Sequence, residues 1–411
     1  MNDFENLVLL IGTNPLPNYI VAKYFSDKNS NLKNIFLIYS SGNKFQSSTK
    51  EFVENIKSVL ECNGLRSDIK IHFIPIDDIE KKQNIYNCIN NYLNTNPVSG
   101  KVHLNYTGGT KVMGIHSYEF FKEKFNERVE YSYLSPKIFK IINDDGNNES
   151  EDLRKEVKSE LKNILELHGF KRINDENKII FRDALNKFEK LIDKDILINY
   201  FISYERKNFI NDKNKLISTG ITLTNKFKHK KIVDELLIIN NLLPDDFKIF
   251  DKEGSLIEKL PLDINIKKTV EFFDGFWLED YVETVLSDLN SNKNFKIYKN
   301  WEIKKPDWKN DSKFELDLLI MNGYQLFGIS CTTNSKRAEC KRKGFEIFMR
   351  TRQIGGDESK SILITRLTKD VAIDLQNELE IDTGGSKNIL VLGEQDLKKN
   401  NLINKINDFL E

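Results

Sequence analysis

Apolar and polar positions fall in regular blocks along the first third of the chain. Leu7–Ile11 is continuously apolar, as in a strand buried on both faces, and it ends in the turn cluster Gly12-Thr13-Asn14-Pro15-Leu16-Pro17. Helical periodicity follows from Asn18 to Phe25. The pattern then recurs: strand Asn34–Tyr39 closed by Ser40-Ser41-Gly42, helix Thr49 to Cys62, strand Ile69–Ile74, helix Ile79 to Leu93, strand Val102–Leu104, and helix Val112 to Phe125. Val129–Tyr133 and Ile138–Ile142 read as a closing hairpin. Strand–helix alternation of this kind predicts an open, mostly parallel, doubly wound sheet. Ligands on such sheets sit beyond the carboxyl ends of the strands, so Gly12–Pro17, Ser40–Gly42 and Thr107–Lys111 are expected to meet there.

The polar run Asn143 to Asp152 marks a boundary, which sets residues 1–145 apart as a first unit. Residues 146–266 read as a mostly helical, charge-rich connecting region. Its basic run Lys226–Lys231 is either a nucleic-acid contact or, by the more ordinary reading, a solvated helix face. In residues 267–411 an amphipathic helix opens at Gly275 and runs to Leu289. Strand-like runs follow at Phe295–Tyr298, Glu315–Ile320 and Leu326–Cys331, then a helix from Arg337 to Arg352 and strands Ser361–Thr365 and Asn388–Leu392. The whole is an α/β chain: a Rossmann-like unit, a helical middle, and a second α/β domain.

Composition narrows the function classes. At 411 residues the chain exceeds one ordinary core, so two or three domains are expected. With 62 basic and 62 acidic residues, bulk charge carries no nucleic-acid signature, and any basic surface must be local. Cys62, Cys88, Cys331 and Cys340 include no CxxC and no metal-ligand spacing, which argues against a zinc site and for reduced thiols in the cytoplasm. No apolar run is long enough to span a membrane. All five histidines (His72, His103, His116, His168, His229) precede the last domain, which argues against His-based catalysis there.

Two constellations carry candidate chemistry. The first is Asn105-Tyr106-Thr107-Gly108-Gly109-Thr110-Lys111, between a strand and a helix. Glycines let backbone approach a ligand closely, and the open N–H groups and dipole of a helix start favour an anion. Thr107 and Thr110 add hydroxyls and Lys111 a positive charge. The Walker pattern G-x-x-x-x-G-K-[ST] is absent, so the chemistry is nucleotide or oligonucleotide phosphate binding without ATP hydrolysis. A Gly-Gly after a strand is also the sequence of a plain tight turn, and both readings stand.

The second constellation is the order helix with Glu279, strand with Asp317, turn, strand ending Ile329-Ser330-Cys331-Thr332, then helix. This order matches a restriction-endonuclease-like core. There an acidic residue and an E-x-K pair on adjacent strands hold a divalent metal (Mg²⁺ or Mn²⁺) and steady the attacking water. Asp317 would be the metal-binding acid, Glu279 a supporting one, and Cys331 the residue whose main-chain carbonyl faces the metal. Ser330 and Thr332 stand where Glu and Lys are expected. Either acid and base come from elsewhere, with Glu346 and Lys341 or Lys343 on the next helix as candidates, or the site does not cut. For any one of these helix residues, ordinary surface charge is the competing reading.

The string Asn105–Met113, together with Gly12-Thr13-Asn14-Pro15, resembles the CARF sensor domain. Gly275–Val282 and Glu315–Thr332 resemble the nuclease half of the CARF plus PD-(D/E)xK effectors (the DUF1887-type group) of type III CRISPR systems. The resemblance covers both ends of the chain and leaves the middle unmatched. It implies a homodimer whose paired sensor domains bind a cyclic oligoadenylate, tetra-adenylate or hexa-adenylate, across the two-fold axis. Binding would activate metal-dependent cleavage of a nucleic acid. By position, Asn14, Pro15, Ser40, Ser41, Thr107, Gly108, Gly109, Thr110 and Lys111 would line the pocket for this allosteric activator. The rivals are a ligand-binding regulator with a degenerate nuclease domain, and a sensor that cleaves its own cyclic ligand.

Overall fold

The computed structural model describes residues 3–146, 149–174, 181–193, 237–251, 268–269, 271–291, 293–306, 313–384 and 387–411. Its first part runs β1 (Asn6–Ile11), α1 (Leu16–Lys28), β2 (Asn34–Ser40), α2 (Lys50–Cys62), β3 (Lys70–Ile76), α3 (Lys82–Thr95), β4 (Val102–Asn105), α4 (Lys111–Phe125), β5 (Val129–Leu134) and β6 (Ile141–Asn143). These strands form one six-stranded sheet in the order β3-β2-β1-β4-β5-β6, parallel except at the final β5–β6 pair. The expected doubly wound sheet with its closing hairpin is present.

The alternation of side chains along β1 explains why its apolar run is unbroken. Leu7, Leu9 and Ile11 join a core with Tyr19, Ile20, Val53 and Ile56 of α1 and α2. Val8 and Leu10 point the other way, to Ile85 and Ile89 of α3 and Met113 and Phe120 of α4. Both faces of the strand are covered, so no position along it tolerates a polar group facing water.

The second part continues with α5 (Leu153–Glu156), α6 (Leu161–Leu167), β7 (Lys171–Arg172), α7 (Arg182–Asp193), α8 (Trp277–Asn290), β8 (Lys296–Lys304), β9 (Lys313–Asn322), β10 (Gln325–Cys331), α9 (Arg337–Gly355), β11 (Lys360–Ile364), α10 (Lys369–Thr383), β12 (Ile389–Leu392) and α11 (Lys399–Leu410). A second six-stranded sheet has the order β12-β11-β10-β9-β8-β7. It is antiparallel from β7 to β10 and parallel from β10 to β12.

The connecting region is not helical throughout, because β7 pairs with β8 and extends the second sheet. Phe188 of α7 stacks on Trp277 at 4.6 Å, which makes Trp277 a core residue. The basic run 226–231 lies outside the described residues.

The two sheets are not independent bodies. Trp301, Ile303, Phe314, Leu316 and Leu319 of the second sheet share one core with Leu153, Leu161 and Ile164 of α5 and α6 and with α1 and α2. Ile347 and Ile354 of α9 belong to the same core. A shared apolar core of this extent couples movement of one part to the other.

His168 closes this seam. Its ring is buried, and Nδ1 donates to the Ile164 carbonyl at 2.9 Å. Loss of solvation pushes its pKa down to about 4. The folded pKa lies below the unfolded value of about 6.5, so the unfolded chain binds more protons between them. Stability is fully present above the unfolded pKa and is lost as pH falls through the folded one. His168→Gln should therefore flatten the acid limb of the Tm-against-pH curve between pH 6.5 and about 4, by up to about 1.4 kcal/mol per pH unit. Parallel slopes for the two proteins would refute the assignment.

Candidate functional site

The carboxyl ends of β1, β2 and β4 lie at one edge of the first sheet, where the three expected loops meet. Thr49 Oγ1 donates to the Ile11 carbonyl at 3.2 Å and receives the Ser40 N–H at 3.1 Å, tying the ends of β1 and β2 together. A cavity of about 590 Å³ opens there, lined among others by Thr107, Gly108, Gly109, Thr110, Lys111, Ile115 and Tyr118.

Each residue of the Gly-rich turn has a separate reason for being there. Asn105, buried at the end of β4, accepts from the Thr107 N–H at 3.3 Å and its hydroxyl at 2.6 Å. The same hydroxyl accepts from the Leu134 N–H at 2.6 Å, so Thr107 holds the turn to β5. A Cβ on Gly108 would collide with the Leu10 carbonyl and lie 2.6 Å from Asn18 Nδ2. Gly109 has φ +75°, the left-handed region that favours glycine. Thr110 caps α4 by accepting the Met113 N–H at 3.2 Å. The N–H groups of Lys111 and Val112 in that first turn have no intrahelical acceptor. Lys111 is exposed beside them and, among the described residues, joins no ion pair. The result is a concave surface of backbone donors, one capped helix start and one uncommitted cation.

The remaining residues expected at this pocket sit apart from its lining. Asn14 turns its amide towards the second domain, donating to Glu358 Oε2 at 3.1 Å. Pro15 is buried at the start of α1. Ser40 is buried, accepting from the Gly42 N–H at 3.1 Å and donating to the Ser47 carbonyl at 3.1 Å. Ser41 donates to Asp77 at 2.9 Å. All four are engaged in shaping loops, which leaves their polar atoms uncommitted to the cavity.

The second candidate site lies at the end of β9 and β10. Asp317 Oδ2 accepts from the Cys331 N–H at 2.7 Å and the Ser330 hydroxyl at 3.1 Å. Glu279, on the first turn of α8, is buried. Loss of solvation and the charge of Asp317 hold its carboxyl well above the usual range. Asp317 is also raised, chiefly by desolvation. Cys331 is buried and its thiol is pushed up by desolvation and these carboxylates, which removes it as a nucleophile.

Two residues that periodicity does not single out complete the group. Asn300 lies opposite Asp317 in the β8–β9 register, between the pairs Lys299–Leu318 and Trp301–Leu316. It has φ +50° in mid-strand. With its nitrogen facing both partners, its amide donates to Glu279 Oε2 and to the Asp317 carbonyl, each at 3.1 Å. Lys299, buried beside it, pairs with Asp280 and, at 3.0 Å, with Glu283. Asn300 lies two residues past the strand-like run Phe295–Tyr298, so no sequence pattern singled it out.

Among the basic residues of α9, Lys343 and not Lys341 bears on this site. Lys341 Nζ is held by Glu378 at 2.6 Å and Asp382 at 2.9 Å, the latter two on α10, away from Asp317. The charge of Lys343 lowers the pKa of Asp317, and Glu346 raises it, so both project a field onto the acid. Glu346 is only loosely paired, 3.8 Å from Arg342. Thr332 donates its N–H to the Ile364 carbonyl at 2.9 Å, and its hydroxyl accepts the Asn334 N–H at 3.2 Å, a turn-forming role.

Among the described residues no group of three or more His, Cys, Asp and Glu side chains is spaced to hold a metal ion. The electrostatics set Glu279 and Asp317 against each other, and a charge-neutral substitution should relieve this. Glu279→Gln keeps the acceptor for Asn300 and removes one buried charge. It should raise the Tm of metal-free protein by about 2–4 °C per kcal/mol gained. The folded pKa is raised, so the wild-type penalty is absent below the unfolded carboxylate value and grows as pH rises. A variant less stable than wild type at neutral pH would contradict this.

Residues 6–170 match the family model of the Card1 CARF domain. The chain is similar in structure to Can2 from Sulfobacillus thermosulfidooxidans, solved in complex with cyclic tetra-adenylate. The two are 18% identical, the TM-score is 0.67, and the match covers 99% of each chain. It is also similar to protein VC1899 from Vibrio cholerae, with 16% identity, a TM-score of 0.68 and 98% of each chain covered. At these identities the likeness shows the fold, over nearly the full length of each chain. No protein of curated function matches the chain by sequence. Among the described residues no helix is long and apolar enough to cross a membrane.

Proposed function

We propose, from the premise that residues 6–170 form a CARF domain of the Card1 type, that this chain is a nuclease of type III CRISPR defence switched on by a cyclic oligoadenylate. The observation that carries the reading is the cavity where the Gly108-Gly109 backbone, the open start of α4 and Lys111 converge. An adenylate ring presents phosphates at regular spacing, and each would find backbone donors and one cation there. Tetra-adenylate is the favoured ring, in line with the ligand of the similar Can2 structure. A two-fold-symmetric ring on a homodimer would let each Gly-rich turn hold half of it. Ile115, 58% exposed at the rim, is an apolar side chain that a second copy would cover.

The second domain then supplies phosphodiester hydrolysis on a restriction-endonuclease-like core. Glu279, Asp317 and the Cys331 carbonyl are the oxygen groups that would hold a divalent cation. Such a cation supplies polarisation of the phosphate and a lowered pKa for bound water. Glu346 would take a proton from the attacking water as its oxygen bonds to phosphorus and the leaving P–O bond breaks. Lys343, whose charge lowers the pKa of Asp317, would offset the charge that builds on the phosphate oxygens. Asn300 holds the Glu279 carboxylate in register. This arrangement moves the Glu and Lys functions from Ser330 and Thr332, at and just past the end of β10, to the neighbouring helix α9.

The hydroxyl residues at 330 and 332 favour a second reading, a ligand-gated regulator that binds nucleic acid without cutting it. Incubation with single- and double-stranded DNA and RNA, Mg²⁺ or Mn²⁺, and cyclic tetra- or hexa-adenylate separates the two. Ligand-dependent cutting is expected. Tight ring binding with no cutting under any of these conditions would leave the regulator standing.

A further inference from the structure

Between the two candidate sites the structure holds one polar contact that neither site explains. Gly12 at the end of β1 packs against the Gly-rich turn, since a Cβ there would meet the Gly109 nitrogen at 3.1 Å. Two residues on, Asn14 leaves its own domain. Its Oδ1 accepts the Leu16 N–H at 3.3 Å, which orients the amide. Its Nδ2 donates to Glu358 Oε2 at 3.1 Å. Gly356, with φ +73°, presses its backbone on the same amide, and a Cβ there would lie 2.6 Å from Asn14 Nδ2.

What Asn14 touches is the exit of α9. Gly356 caps that helix, which carries Lys343 and Glu346. The Glu358 carbonyl accepts from Gln325 Nε2 at 2.9 Å, and Gln325 begins β10, the strand that ends at Ser330 and Cys331. Two of the elements that reach the Asp317 site, α9 and β10, are therefore anchored at one point, opposite a loop that contacts the Gly-rich turn.

We propose that Asn14 is an interdomain latch, which transmits occupation of the Gly-rich pocket to α9 and β10 through Glu358 and Gly356. The inference rests on the ligand-gated reading above. An anion drawn into the turn displaces Gly109; Gly12 is in backbone contact with it and must follow, and Asn14 carries the shift to Glu358. A ligand changes an equilibrium only through contacts that differ between states, and this one hydrogen bond to a carboxylate is such a contact.

The test uses the full-length chain with cyclic tetra-adenylate, reading ring affinity, hydrogen exchange over residues 337–358, and cleavage. In wild type the ring should change exchange across 337–358. Asn14→Ala and Glu358→Ala should bind the ring within about threefold of wild type, lose the exchange change, and lose at least about tenfold in ligand-stimulated cleavage. Glu358→Gln, which keeps the acceptor oxygen, should restore both. The double variant should be no worse than either single one. Asn14→Ala losing ring affinity in step with activation would make Asn14 a ligand contact and overturn the latch. Ring binding by wild type with no exchange change over 337–358 would overturn the latch alone. Absence of ring binding by wild type would bring down the ligand reading and the latch with it.

Discussion

Asp317→Ala is expected to lower metal-dependent cleavage by at least about 10²-fold while leaving ring binding intact, because it removes the acid at the centre of the second site. Asp317 is the one carboxylate there that joins β9 to β10, through the Cys331 N–H and the Ser330 hydroxyl. Its field is shaped by Lys343 and Glu346. Lys343→Ala and Glu346→Gln should each lose about 10–100-fold, whereas Lys341→Ala, whose ammonium serves α10, should stay near wild type. The measurement is single-turnover cleavage with Mn²⁺ at saturating ring. Full activity in the Asp317 variant would sink the site. Equal losses at 341 and 343 would show that helix stability, not field, is being read. Combining Ser330→Glu with Thr332→Lys gives a complementary check. The first change sets a second carboxylate against Asp317, so this double variant should be less stable without metal and gain more from it.

Lys111→Ala should weaken ring binding by about 30-fold, the loss of one charge-assisted contact of about 2 kcal/mol. Lys111→Glu should weaken it further. The side chain is exposed and joins no ion pair among the described residues, so neither change should move Tm. Exposed charge is screened, and the gap between variant and wild type should narrow as salt is raised. Calorimetric titration across ionic strengths reads this directly. Unchanged affinity at low salt would show that the turn is only a turn.

Much of the architecture is legible in the sequence alone. A doubly covered parallel strand has nowhere to place a polar side chain, so Leu7–Ile11 and Asn34–Tyr39 announce themselves as apolar runs. The Gly-rich turn is legible for a similar reason: Gly108 faces a carbonyl and Gly109 needs positive φ, so the chemistry of the backbone is written in the residue type. Asp317 follows from its place in the strand order. Asn14 shows where such reading stops. Its position after β1 is the same whether its side chain faces a ligand or a neighbouring domain. The partner that decides, Glu358, lies 344 residues away.

The sequence by itself determined the local grammar of this protein: where strands and helices lie, where a Gly-rich turn joins a strand to a helix start, and that Glu and Lys are absent at 330 and 332. These properties depend on residues a few positions apart, through side-chain periodicity and backbone conformation. Tertiary structure alone decided which distant charges face one another. It paired Lys341 with α10, while Lys343, two positions along the same helix, acts on Asp317 through its charge. It set Asn300 between Glu279 and Asp317, and it joined the two sheets through one apolar core with Asn14 at the seam. Electrostatic and packing partners are chosen by distance in space, and no pattern of neighbours along the chain encodes that distance.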